Sequence, residues 1–235
     1  MNMRLIALTE HMPRTKKKDL YPEEVGLTTP QCQIILISQQ HEPAAKNPNY
    51  LSAMVDNHRA YILEATRLRQ LYASRIKILV GFECEWIRQT DLPFIKSLAA
   101  DPAIDLFLGS VHHVHEIPID FDRPMYEKAR EESGGTDEKL FEDYFDSQYD
   151  MLHDLRPPVV AHFDLIRLYS DNKDKDLKSM PGVWRKVVRN LDYCARQGLM
   201  IEVNSSALRK GLKEPYPGRS VCEVCIDAGL PKIYH

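Results

Sequence analysis

Residues 76–85 read IKILVGFECE, an apolar run that predicts a buried β-strand and ends in glutamate. Residues 104–114 read IDLFLGSVHHV and repeat this pattern, with two histidines close to the end. Three further apolar runs predict strands of the same kind, at residues 4–9, 159–164 and 199–205. Short apolar runs that alternate with longer amphipathic segments are typical of βα units, so the sequence predicts an α/β fold with a parallel sheet or barrel.

Helices are predicted between these strands. The clearest covers Leu51–Tyr72, where apolar residues approximate the i, i+3, i+4 spacing of one helix face. A second helix is predicted to begin near Thr136, and a third to cover Val183–Gln197 with Gly198 closing it. The alternation of strands and helices therefore continues along most of the chain.

The last helix has its own start signal. Ser220 and Glu223 have the spacing of a capping box, so we expect the helix to begin there and to end at Gly229. Only residues 230–235 follow, where a βα repeat would place its next strand, and the other end of the chain opens directly on a strand. The sequence thus predicts a repeat that is incomplete at its first and last strands.

The composition indicates a small-ligand protein. With 235 residues the chain fits one α/β domain over residues 1–235, and a net charge of -3 argues against broad attraction to nucleic acid or membrane. Residues 1–8 are too short for a secretory signal, and no apolar run approaches a membrane span. Five scattered cysteines favour reduced thiols. We expect a cytoplasmic protein whose oligomeric state stays open.

Residue types that bind metals stand at the end of each predicted strand. They are Glu10 and His11, Glu83 and Glu85, His112 and His113, His162 and Asp164, and Glu202. A single residue of this kind is more often a cap or a solvated side chain, but several successive strands share the feature. The carboxyl ends of barrel strands build the active site, and imidazole with carboxylate suits Zn, Mn or Fe. The pattern therefore predicts a metal site.

Strand alternation limits which of these residues share a face. His112 and His113 are adjacent, so at most one of them belongs to the site. Glu83 and Glu85 lie two residues apart and point the same way, so alternation alone does not choose between them.

Six short motifs follow one another along the chain: TEHMPR at 9–14, DLYPEE at 19–24, GFE at 81–83, GSVHH at 109–113, AHFDLIR at 161–167 and EVNSSALRKG at 202–211. In this order they resemble the fungal histidinol-phosphatases of the polymerase and histidinol phosphatase (PHP) superfamily. Each is weak by itself, and their shared order and spacing make the resemblance specific.

The resemblance implies a distorted (βα)7 TIM-like barrel that holds up to three divalent ions. It implies hydrolysis of L-histidinol phosphate to L-histidinol and phosphate, a step of L-histidine biosynthesis. Glu83 would bridge the ions and act in catalysis with His112 and His162. The metal ligands that it implies are His11, Glu83, His112 and His162, and the candidate phosphate-binding residues are Arg167, Arg14 and Arg209.

Two motifs of that family are not in the sequence, an N-terminal His-x-His and a C-terminal Asp-x-His. Fewer ligands predict fewer bound ions than in the family. Two alternatives follow, a catalytically impaired chain that acts as a binding module or has no function, and a phosphoesterase with another substrate. Residues 26–49 resemble an insertion.

Overall fold

The computed structural model of the protein describes residues 4–21 and 50–234. The chain forms two compact units, Met1–Val80 and Gly81–His235. The single domain predicted over residues 1–235 stays a prediction, and the insertion predicted at residues 26–49 lies outside the described residues.

The first unit contains strand β1 (Leu5–His11) and helix α1 (Tyr50–Leu71). The hydroxyl of Tyr61 donates a hydrogen bond of 2.6 Å to the carbonyl oxygen of Leu8, which holds the helix against the strand. The strand and the helix predicted here are both confirmed, with ends that shift by one or two residues.

The second unit is built on a parallel sheet. Its strands β2, β3, β6, β7 and β8 are neighbours in that order, and each pair between them is parallel. The carboxyl ends of these strands therefore lie along one edge of the sheet. The strand bounds are β2 (Lys77–Glu85, in this unit from Gly81), β3 (Leu106–Ser110), β4 (His113–Val114), β5 (Ile117–Pro118), β6 (Val159–Val160), β7 (Met200–Val203) and β8 (Lys232–Tyr234).

Helices cover this sheet and complete its core. The two longest, α4 and α5, pack against each other, and the buried amide of Asn190 on α5 donates to the carbonyl oxygen of Phe145 on α4 at 2.7 Å. The helix bounds are α2 (Leu92–Ala99), α3 (Arg123–Glu132), α4 (Asp137–Leu155), α5 (Pro181–Gln197), α6 (Ser206–Arg209) and α7 (Arg219–Asp227).

Two helix signals in the sequence are confirmed. Thr136 is the N-cap of α4, and its side chain accepts a hydrogen bond from the Lys139 N–H at 3.2 Å. Gly198 ends α5 with φ of 67°, a left-handed conformation that costs a residue without a Cβ little.

Two predicted strands end earlier than the apolar pattern indicated. The run at 104–114 stops at Ser110, and β4 and β5 form a small hairpin through His115 and Glu116, whose φ values are 54° and 61°. The run at 159–164 stops at Val160, because His162 has φ of 21° and an extended strand cannot continue through that backbone.

The predicted end of the chain is also corrected. Helix α7 has Gly218 as its N-cap, so the capping box predicted at Ser220 is wrong. The Gly218 N–H donates to the buried carboxylate of Asp164 at 2.9 Å, which fixes the helix start there, while Glu223 pairs with Lys178 at 2.9 Å. A short strand does follow this helix, since β8 pairs in parallel with β7.

Candidate metal centre

Three side chains of the second unit meet at the carboxyl edge of its sheet. Nε2 of His112 lies 2.9 Å from Oε1 of Glu83, and Nε2 of His162 lies 2.9 Å from the same oxygen. The two rings have centroids 4.8 Å apart and are inclined at 73°. The histidine side chains are 9% exposed and that of Glu83 is 15% exposed. Two imidazoles and one carboxylate therefore converge on a point that is largely shielded from water.

The neighbouring strands bring these residues together. Glu83 lies opposite Leu108 in the parallel register of β2 and β3. Beyond that pair, the hydroxyl of Ser110 donates to the Cys84 carbonyl oxygen at 2.7 Å, so the two strand ends are tied just before His112. The turn at His162 follows β6, and its positive φ directs the chain out of the sheet.

Gly109, on the strand that leads to His112, packs closely against Pro157. A Cβ on Gly109 would lie 2.6 Å from Cγ of Pro157, well inside van der Waals contact. Only glycine lets β3 pass the segment that leads from α4 into β6 at this distance. The GSVHH motif thus contains a packing requirement beside its histidines.

Two further carboxylates hold the histidines in place. Oδ2 of Asp120 lies 2.9 Å from Nδ1 of His112, on the ring edge opposite Glu83. Oε2 of Glu202 accepts the backbone N–H of His162 at 2.7 Å and the side-chain amide of Asn204 at 3.2 Å. Asp120 therefore contacts the ring of His112, and Glu202 fixes the backbone at His162.

The electrostatics follow from this enclosure. Burial by itself lowers the pKa of His112, but the carboxylates of Asp120 and Glu83 outweigh it and raise this pKa to about 9. Burial acts upward on the pKa of Asp120, yet the charge and hydrogen bond of His112 lower it to about 2. A positive charge at the cluster is therefore stabilised by the surrounding carboxylates.

The donor set suits a divalent cation. In the protein by itself, each Nε2 that approaches Glu83 must bring a proton, because a carboxylate oxygen only accepts. A metal ion takes the place of such protons when imidazole nitrogens and a carboxylate oxygen are its ligands. In addition, Nδ1 of His162 is buried without a hydrogen bond to any described residue. Nitrogen and oxygen ligands of this kind fit Zn, Mn or Fe.

Three other residues predicted at the site are His11 and Arg14, in the first unit, and Arg209, in the second. His11 is exposed at the end of β1 in the first unit, where its N–H donates to Glu10 at 3.3 Å. Arg14 belongs to the same unit and is buried, with its guanidinium 4.7 Å from the ring centre of Tyr21. In the second unit, Arg209 is exposed at the end of α6.

Arg167 is buried near the cluster. Its Nε lies 2.9 Å from the Asp164 carboxylate, and its Nη2 donates to the Pro215 carbonyl oxygen at 2.9 Å. The guanidinium lies 5.6 Å from the ring centre of Tyr216, and that ring is 6.4 Å from the His162 ring. Arg167 also lines a cavity of about 280 Å³. The ring of Tyr216 therefore lies between Arg167 and His162.

The sequence left open which glutamate of β2 and which of two adjacent histidines belong to the site. Of the two glutamates on one face of β2, Glu83 reaches the imidazoles. His113 is 2% exposed, and His115 pairs with Asp143 at 2.9 Å. Asp120, which contacts His112, was not predicted from the sequence, because it lies eight residues beyond that histidine in no recognisable motif.

The chain belongs to the PHP family, whose domain model matches residues 1–206. Two fungal relatives carry the name histidinol-phosphatase. It is 39% identical over 224 residues to a Schizosaccharomyces pombe protein named as a probable histidinol-phosphatase. It is 30% identical over 251 aligned residues to the Saccharomyces cerevisiae histidinol-phosphatase. Each match covers 95% of this chain, which spans 66% and 70% of the two relatives.

Solved structures show the same fold. A Listeria monocytogenes chain assigned as a histidinol phosphatase superimposes with a TM-score of 0.73, at 18% identity, over 98% of this chain and 82% of that one. The Lactococcus lactis histidinol phosphate phosphatase was solved with Zn, L-histidinol and phosphate. It superimposes with a TM-score of 0.54, at 16% identity, over 75% of this chain and 76% of that one. These likenesses confirm the predicted α/β fold of an incomplete TIM-like barrel.

Among the described helices, none has the length and apolarity needed to cross a bilayer.

Proposed function

We propose that this chain binds divalent metal through Glu83, His112 and His162 and hydrolyses L-histidinol phosphate to L-histidinol and phosphate. The observation that carries the proposal is the single Glu83 oxygen shared by two imidazole Nε2 atoms at 2.9 Å. The names of its fungal relatives support the substrate, and the Lactococcus lactis structure with Zn, L-histidinol and phosphate supports the ligand classes. The reaction would serve L-histidine biosynthesis.

The proposed metal ligands extend the cluster by one residue. The family resemblance adds His11 to Glu83, His112 and His162, with Glu83 as the bridging carboxylate. Zn is the first candidate metal because the Lactococcus lactis relative was solved with it, and Mn and Fe suit the same ligands. A bound ion would supply Lewis-acid stabilisation of the charge on the phosphoryl oxygens.

The protein's own residues would orient the ester and exclude water. Asp120 holds the ring of His112, and Glu202 holds the backbone of His162, so both residues are positioned before binding. Arg167 is a candidate for the phosphate because a guanidinium matches phosphoryl oxygens with paired donors. Its present partner, the buried Asp164 carboxylate, holds it in place. Arg14 and Arg209 stay candidates on the resemblance alone.

Metal content and turnover test the proposal together. Purified protein is loaded with Zn or Mn, desalted and measured for bound metal and for phosphate released from L-histidinol phosphate. We expect at least one ion per chain and measurable release, both lost in His112→Asn. His153→Asn is the matched control, because the His153 side chain is exposed on α4 and pairs with its neighbour Asp154.

Other outcomes decide against the proposal in different ways. Less than one ion per chain with no phosphate release would leave a binding module or a chain without function. Bound metal with faster hydrolysis of sugar or nucleotide monoesters would change the substrate and keep the reaction class. A panel of phosphomonoesters at equal concentration separates these outcomes.

A further inference from the structure

Asp120 stands behind a histidine of the cluster, in contact with its far nitrogen. Its Oδ2 lies 2.9 Å from Nδ1 of His112, while Nε2 of the same ring faces Glu83. The Asp120 side chain is 14% exposed, so little water competes for this contact. The His112 ring therefore lies between two carboxylates, Asp120 at Nδ1 and Glu83 at Nε2.

The backbone holds Asp120 in register with His112. The N–H of Ile119 donates to the carbonyl oxygen of His112 at 2.9 Å, which closes the loop formed by β4 and β5. Ile119 is fully buried and anchors this closure. On the other side, the Phe121 carbonyl oxygen accepts a hydrogen bond from the Tyr169 hydroxyl at 3.1 Å. Asp120 is thus clamped from both neighbours and has little freedom to leave the ring.

We propose that Asp120 is a positioning residue of the metal centre, which fixes the ring and tautomer of His112 so that Nε2 is presented to the ion. A neutral imidazole carries its proton on one nitrogen only. An acceptor at Nδ1 keeps the proton there and leaves the Nε2 lone pair for the metal. Such partners of metal-bound histidines also raise the basicity of the ligand. This inference rests on the proposed metal site.

A simple structural ion pair is the competing explanation. The chain offers a matched example, since His115 and Asp143 also approach to 2.9 Å but their side chains are 41% and 34% exposed. That pair contacts none of the three cluster residues. If Asp120 were only a structural partner, its loss would affect folding stability and leave the intact protein's metal affinity unchanged.

The test compares Asp120→Asn with the matched control Asp143→Asn in the full chain. Zn affinity is measured by competition with a chromophoric chelator, and folding of each variant is checked by thermal unfolding in EDTA. We expect Asp120→Asn to weaken Zn binding by about 10- to 100-fold, the usual effect of losing such a partner. Asp143→Asn is expected to bind like wild type.

A second measurement uses only the wild-type protein, in case Asp120→Asn does not fold. Long-range ¹⁵N–¹H correlation of the Zn-loaded protein, with the ring signals assigned through correlations to the His112 backbone, reports which ring nitrogen of His112 carries the proton. We expect the proton on Nδ1. A proton on Nε2, or equal Zn affinity in folded Asp120→Asn and wild type, overturns the inference while the metal site stands. Wild-type protein that binds no Zn overturns the proposed function, and the role of Asp120 falls with it.

Discussion

Replacing Glu83 with glutamine removes the one negative charge that both site imidazoles share while keeping the size of the side chain. In the metal-free protein its Oε1 accepts two hydrogen bonds of 2.9 Å. A hydrogen bond to a charged group contributes about 1.5–3 kcal/mol, against about 0.5–1.5 kcal/mol for a neutral one. Loss of charge at both contacts therefore predicts a decrease of about 2–3 kcal/mol in the free energy of unfolding.

Urea denaturation in EDTA at pH 6 measures this decrease, and metal analysis of the loaded protein measures its consequence. We expect Glu83→Gln to bind less than one ion per chain. Glu223→Gln is the control, because Glu223 is half exposed and its single pair with Lys178 predicts a change of at most about 1 kcal/mol. Unfolding free energy and metal content both equal to wild type in Glu83→Gln would refute the shared-carboxylate reasoning.

Three further predictions concern pH and packing. The pKa of His112 is raised from 6.5 to about 9 in the folded protein. In EDTA the charged imidazole therefore stabilises the fold fully below about pH 6.5, and this stabilisation is lost as the pH rises through 9. An unfolding free energy that stays constant from pH 7 to 10 would contradict this prediction. Leu191→Ala, at a fully buried position of α5, should lower the free energy of unfolding by about 2–5 kcal/mol in urea denaturation, and Leu208→Ala, at a half-exposed position, by far less. Gly109→Ala should lower the free energy of unfolding by about 1–3 kcal/mol, because the new Cβ clashes with Pro157, and it should also weaken Zn binding. An unfolding free energy and a Zn affinity both equal to wild type would contradict the close approach of Gly109 to Pro157.

The sequence was sufficient for the elements that carry a strong periodic signal. Helix α1 and the N-cap at Thr136 follow from spacing and capping rules, and the parallel sheet follows from the order of apolar runs. Strand ends were harder, because apolar content continues past Ser110 and Val160 while the backbone turns. Local hydrophobicity does not reveal where a residue such as His162 adopts a positive φ.

The cluster shows a similar division between pattern and context. Strand alternation placed Glu83 and Glu85 on one face, and the family resemblance selected the one that the structure brings to the imidazoles. Asp120 has no such signal, because its contact with His112 depends on the β4–β5 hairpin that closes between them. The start of α7 at Gly218 was likewise set by a distant partner, the buried Asp164, and not by the nearby serine.

Anomalous diffraction from crystals of the Zn- or Mn-loaded protein tests the central claim most directly, because it locates the ion without reference to activity. We predict a peak within about 2.0–2.3 Å of a Glu83 carboxylate oxygen and of Nε2 of His112 and His162. A fully loaded crystal whose peaks lie away from these three atoms, or protein that takes up no ion at millimolar metal, would contradict it.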